Sequence, residues 1–256
     1  MHGILALSAL HLAHIKPANR PTYISTAVAH QNQALALFRE RLGDINPSNA
    51  KAMFAFSSIV VVYAFGFTQS SDSGDLTASV DDLCQVLVLA RGVQEVINKA
   101  SPSLRESSFK PILQVDDYTP YLPDSARSAL EQLREANRVC GTQDATHDTV
   151  SYGQVIDNLS EELSAVHGGF NSISVAGRWA IRVKPNYMES LRERRPLALV
   201  ILVYYCVLLH YLRQNWCLDE WGARTSKAIW DLLDDQWRPL ALWAMVEIFG
   251  QGFPDK

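Results

Sequence analysis

At 256 residues and a formal net charge of −4, the chain is long enough for one large core or two small ones. Its 48% hydrophobic and 20% charged residues exclude a disordered chain. The acidic balance, with no basic stripe, excludes a free-standing nucleic-acid binder. Cys84, Cys140, Cys206 and Cys217 are scattered without a CxxC pair, so neither a zinc site nor a redox motif is indicated. Two of them fall in strongly apolar segments, where reduced thiols are expected, and a cytoplasmic or nuclear compartment follows.

The opening MHGILALSALHLAHIK lacks a basic n-region, and histidines interrupt its apolar run. It reads as an amphipathic helix that starts abruptly rather than as a signal peptide, as if the chain were cut at its beginning. A turn at KPANRP leads to a second helix, Tyr23 to Leu42, with Gly43 as its stop. Ser48 is the expected cap of a third helix, Ala50 to Phe67, where Phe56, Val60, Tyr63 and Phe67 keep helical spacing. Loops are expected near 68–76, 100–123 and 140–149. Between them lie a helix over Ser79 to Lys99 and a charged one, Ser125 to Val139, capped by Asp124. Tyr152 to His167 is a further helix, ending at Gly168-Gly169. Phe170 to Val183 is ambiguous, with helix favoured. Pro185 to Arg194, the central segment, Trp216 to Leu233 and Trp237 to Phe249 complete an all-α chain without internal repeats.

The central segment is Pro196 to Arg213, PLALVILVYYCVLLHYLR, uncharged until its last residue. Its apolar run is shorter than the ~20 residues of a bilayer span. Pro196 suits a first helical turn and Arg213 the negative end of the helix dipole. The expectation is a single helical domain over 1–256, a multi-helix bundle around 196–213, with no membrane span.

Three blocks carry a resemblance. The first runs from His2 to Gly66 and includes ALSALHLA and MFAFSS; the second is VDDLCQVLVLARGVQEVI, Val80 to Ile97. The third, Arg194 to Gly250, includes RRPLALVIL and WRPLALW. In this order they resemble the C-terminal regulatory domain of fungal zinc-cluster transcription factors, in particular the sterol uptake control protein group. The resemblance implies an all-helical domain that senses a hydrophobic ligand such as a sterol, in a family whose six-cysteine cluster binds DNA. No cysteine precedes Cys84. The cluster is absent here, so the chain itself is expected to make no direct nucleic-acid contact. Either an isolated domain or a natural protein without that half is consistent with this.

No GxSxG, HExxH, P-loop or GxGxxG occurs, and no cofactor is indicated. Asp116-Asp117 and Asp234-Asp235 read as solvated loop charges. His11 and His14, with His30, form an imaginable three-histidine site, but the spacing is not diagnostic and no metal is expected. His210, following Tyr204 and Tyr205 on the central helix, needs a hydrogen-bond partner or a cavity; the helical offsets exclude a Tyr/His dyad within that helix. The expected ligand-binding residues are Phe56, Tyr63, Phe67, Trp179, Tyr204, Tyr205 and His210, since such sites are apolar with a few polar anchors. Each also reads as plain core packing.

Two functions follow. The first is a binding domain for a sterol- or terpenoid-like molecule. The alternative is a biosynthetic enzyme (cyclase, isomerase or pericyclase) using the same apolar pocket, with His11, His210 or Asp81 moving a proton. A homodimer through exposed apolar helices is a third, structural expectation.

Overall fold

The computed structural model describes residues 1–68, 76–105 and 118–253. The described residues form eleven α-helices and no strand, as the patterning predicts. They are α1 (His2–Ile15), α2 (Arg20–Arg41), α3 (Ala50–Thr68), α4 (Leu76–Arg105), α5 (Asp124–Gln143) and α6 (Thr149–His167). Then follow α7 (Ile173–Arg182), α8 (Pro185–Arg192), α9 (Pro196–Tyr211), α10 (Trp221–Leu232) and α11 (Arg238–Phe249). The chain divides into two compact units. The first is Met1–Asp72 with Val88–Asp116, the second Ser73–Leu87 with Asp117–Lys256.

In the first unit α1 packs on α2 and on α3. Small residues make the approach close: Ala6, Ala9 and Ala13 of α1 and Ala27 and Ala34 of α2 are all buried. Gly3 lies so near the Phe56 ring that a Cβ there would meet it at 2.5 Å. α3 does not start from a Ser48 cap. In the turn ahead of α3, Asn46 Oδ1 accepts from the Ser48 N–H and hydroxyl, and Asn49 Oδ1 accepts from the Asn46 N–H. Residues 50–67 of α3, with a mean hydropathy of 1.7, are long and apolar enough to cross a membrane, and 44% of them are buried inside the protein.

The second unit is built around α9. Residues 197–209 of that helix are at most 3% exposed, against α10 and α11 chiefly, then α6, with α5, α7 and α8 completing the shell. Each fully buried Leu, Ile or Val contributes roughly 1.5–3 kcal/mol, so this helix dominates the unit's hydrophobic stabilisation. Its 16 residues fall short of a span of ~20. α8 and α9 meet at 105° through a helix-ending turn in which Arg194 N–H bonds the Leu191 carbonyl and Arg195 N–H that of Ser190. Arg194 sits at φ +56, a left-handed conformation that costs a non-glycine residue about 1–2 kcal/mol.

Several boundaries differ from expectation for local reasons. Asp148 accepts from the Ser151 N–H and starts α6 at Thr149, ahead of Tyr152. Pro123, not Asp124, occupies the cap position of α5. The ambiguous Phe170 to Val183 contains a helix, because Ser172 Oγ accepts from the Ser174 N–H and caps α7. α10 begins at Trp221 rather than Trp216, since the chain first makes turns closed by Asn215 N–H to Leu212, Leu218 N–H to Asn215 and Trp221 N–H to Leu218 carbonyls. α4 runs on to Arg105, six residues into the expected second loop.

Candidate ligand groove

The expected ligand-contacting residues fall in both units. In the first, Tyr63 is 7% exposed and stacks on Phe67 with centroids 5.6 Å apart; burial pushes its phenol up to about 12. Phe56 packs on Phe38 at 5.1 Å. His11 and His14 lie on exposed positions of α1, whereas His30 meets His2, Nδ1 to Nδ1, at 3.0 Å. Among the described residues, no group of three His, Cys, Asp or Glu side chains is placed to hold a metal.

In the second unit, Trp179, Tyr204 and Tyr205 are fully buried. The Trp179 ring stacks on Tyr205 at 4.2 Å and donates its N–H to the Val155 carbonyl at 3.2 Å. Tyr205 O–H donates to the Ala176 carbonyl at 3.1 Å, and Tyr204 O–H to that of Leu240 at 2.9 Å. Burial raises both phenol pKa values far above the usual range. Their polar atoms are thus engaged by backbone from neighbouring helices. His210 is half-buried, and burial lowers its pKa, helped by Arg213 and opposed by Glu247. Nearby, Tyr211 O–H donates to Glu247 Oε2 at 2.5 Å and meets the His167 ring edge-on at 5.1 Å. His167 Nε2 is buried without a hydrogen-bond partner.

Asp81 pairs with Arg194 at 2.6 Å and is otherwise exposed. Asp116-Asp117 lies outside the described residues. Asp234-Asp235 is a turn, as expected: the Asp234 carbonyl accepts from Trp237 and Arg238, and Asp235 pairs with Arg238 at 2.8 Å. The four cysteines are unpaired thiols.

A groove of about 370 Å³ opens between α5 and the start of α11, within the 300–1,000 Å³ of small-molecule sites. Its lining is apolar at Ala136, Val139, Trp237 and Leu240, polar at Gln132, Glu135, Gln143 and Gln236, with Cys140 among them. Tyr204 lies behind it, holding the Leu240 carbonyl, and packs at 5.0 Å on Trp243, whose N–H is buried without a partner. Glu135 is tied to Arg138, which lowers its carboxyl pKa. No lining residue is among those expected from sequence. A signal was nevertheless there: Ala136, Val139 and Cys140 follow i, i+3, i+4 beside the buried stripe Ala126, Leu130, Leu133, Asn137, giving α5 a second apolar stripe.

In an alignment of 246 positions that covers 91% of the chain, it is 23% identical to a Zn(2)-C6 fungal-type transcription factor of Gibberella zeae. It is distantly similar to a fungal transcription factor. The chain spans 49% of that protein's length. No family model and no solved structure matches it.

Proposed function

We propose that the chain is a ligand-responsive regulatory domain of a fungal transcription-factor type protein, working in the nucleus. It takes an apolar small molecule of sterol or terpenoid class in the α5–α11 groove. The observation that carries this reading is the similarity, which covers 91% of the chain. The groove's composition supports the ligand class: Trp237, Leu240 and Val139 offer flat and branched apolar surface, and the three glutamines offer neutral hydrogen bonds to a hydroxyl or ketone. Tyr204 links the groove to the core through Leu240, so a shift of α11 on binding is transmitted to α9.

The test is a panel of sterols and terpenoids against the purified chain, read by thermal shift and by Trp fluorescence. A ligand at a hundredfold excess over its Kd stabilises by about 2.7 kcal/mol. Saturable stabilisation by one class, lost when Trp237 is replaced by Ala, is the expected result. A flat response across the panel overturns the reading.

A further inference from the structure

We propose that the outward face of α1, in the first unit, is a self-association surface on which a second copy of this chain docks antiparallel. α1 is apolar on both faces. The face turned into the unit is built mainly of small residues: Gly3, Ala6, Ala9 and Ala13 are buried there, with Leu10. The bulk points the other way. Ile4 is 56%, Leu5 40% and Ile15 53% exposed, and helical spacing puts the exposed Ser8 and His11 and the half-buried Leu12 on the same side. α2, which packs on α1, has the usual arrangement, with Thr22, Ser25, Thr26, Asn32 and Gln33 among its exposed positions. A helix apolar all the way round is ordinarily enclosed, and bulky apolar side chains gathered on a solvent face mark an interaction surface.

The pattern of the stripe selects the occupant. Leu5, Ser8, Leu12 and Ile15 repeat at intervals of three, four and three residues, the seam spacing of two packed helices. The stripe also reads alike in both directions from Ser8: Ile4 and Leu12 stand four residues to either side, Leu5 and His11 three. A two-fold axis at Ser8 therefore sets Ile4 of each copy against Leu12 of the other, and Leu5 against His11. Only the small serines meet at the point of closest approach. That is the self-complementarity an isologous contact requires. Charge agrees. From His2 to Ile15 there is no Asp, Glu, Lys or Arg, so two copies bring no like charges together. Antiparallel pairing also places the positive end of each helix dipole beside the negative end of the other. A lipid surface fits less well, because α1 has no cations along its length to meet headgroups and would carry Ser8 and His11 into the apolar layer. With 14 residues, α1 is about 21 Å long, so the pair buries less than the ~1,200 Å² of a stable interface. The dimer is a weak, reversible one.

The experiment is sedimentation equilibrium of the whole chain over a concentration series. Expected is a monomer–dimer equilibrium with a Kd on the order of tens of micromolar. Ile4→Glu is expected to weaken it at least tenfold with Tm unchanged, because the position is exposed. Register is read by cross-linking. Cys140 is the half-exposed native thiol and the other three are buried, so Cys140→Ser supplies the background. In it, Ser8→Cys is expected to form a disulfide-linked dimer under mild oxidation, while Leu37→Cys, exposed on α2, is not. A parent chain that stays monomeric throughout overturns the proposal, and co-sedimentation of that monomer with vesicles of phosphatidylcholine and phosphatidylserine would assign the face to a lipid surface instead. A dimer that survives Ile4→Glu, or that cross-links as readily through Leu37→Cys as through Ser8→Cys, overturns it as well.

Discussion

Trp179 and Tyr205 stack with their ring centroids 4.2 Å apart, and each sends its one polar hydrogen to a backbone carbonyl of another helix. The pair joins α6, α7 and α9: Trp179 bonds Val155, and Tyr205 bonds Ala176.

Trp179→Ala is therefore expected to cost about 3–5 kcal/mol, the usual range for emptying a fully buried aromatic site. Tyr205→Phe keeps the stack and strands only the Ala176 carbonyl, so about 1–2 kcal/mol is expected. Urea denaturation measures both. A Trp179→Ala cost near that of Tyr205→Phe would show that the stack collapses onto its neighbours at little expense.

Glu162 is 2% exposed and receives both Arg178 and Arg182. Burial raises its pKa and the two arginines lower it. Glu162→Ala leaves Arg178 without its carboxylate, while Arg182 keeps Glu161, and is expected to destabilise by about 3 kcal/mol. Asp231→Ala, which breaks the exposed Lys227 pair, is expected to cost under about 1 kcal/mol. Comparable costs for the two, by the same denaturation assay, would contradict this assignment.

The part of the fold legible in sequence is the part whose signal lies within one helix. α9 announces itself by an uncharged run opened by Pro196, and it is found over Pro196–Tyr211. What Tyr204 and Tyr205 do was not legible, because their acceptors belong to Leu240 and Ala176 on α11 and α7. The groove was hidden for the same reason. Val139 and Trp237 are nearly a hundred residues apart, and only packing brings them to one wall. Asp81 illustrates the converse: a residue picked out as a proton donor in sequence is an ion-pair partner of Arg194 in the fold.

Burial lowers the pKa of His147, His167 and His210. For His167, Glu247 opposes the shift; for His210, Arg213 assists and Glu247 opposes. For His147, Asp144 and Asp148 oppose while Arg195 assists. A histidine with a depressed folded pKa binds its proton more readily when unfolded, so stability rises with pH across that window. The contribution is complete above about 6.5, the unfolded value, and is lost as pH falls below it. Asp148, held at about 2 chiefly by its Asn186 and Ser151 hydrogen bonds, adds a separate loss only below about 3.9. Unfolding free energy measured from pH 8 to 4 is expected to start falling below about 6.5. Replacing the three histidines with Gln is expected to flatten that segment; an unchanged slope would assign it to other groups.

If the groove takes the ligand, filling it should remove binding without unfolding the chain. Ala136→Trp places a large ring on a half-exposed lining position, so its Tm is expected to change little while affinity for the stabilising compound drops at least tenfold. Tyr204→Phe is the complementary change, since it frees the Leu240 carbonyl behind the wall and is expected to weaken binding less. Retained affinity in Ala136→Trp, by the same fluorescence titration, would move the ligand elsewhere.

At Gly222, α10 lies close against α9. A Cβ there would lie 2.5 Å from the Cys206 carbonyl oxygen and 2.8 Å from the His210 backbone nitrogen. Both are backbone atoms of the central helix and cannot swing aside, so Gly222→Ala must push the two helices apart. The expected cost is about 1–3 kcal/mol from overpacking, set against the gain of up to about 1 kcal/mol that alanine brings to a helix interior. Gly177→Ala on α7 separates the two effects, because nothing lies within 4 Å of its Cβ position. That variant is expected to be stabilised by about 0.5–1 kcal/mol. Opposite signs for the two glycines in thermal denaturation would show that close packing on α9, rather than helix propensity, decides the residue at position 222. Equal stabilisation of both would mean that α10 is free to move away from α9.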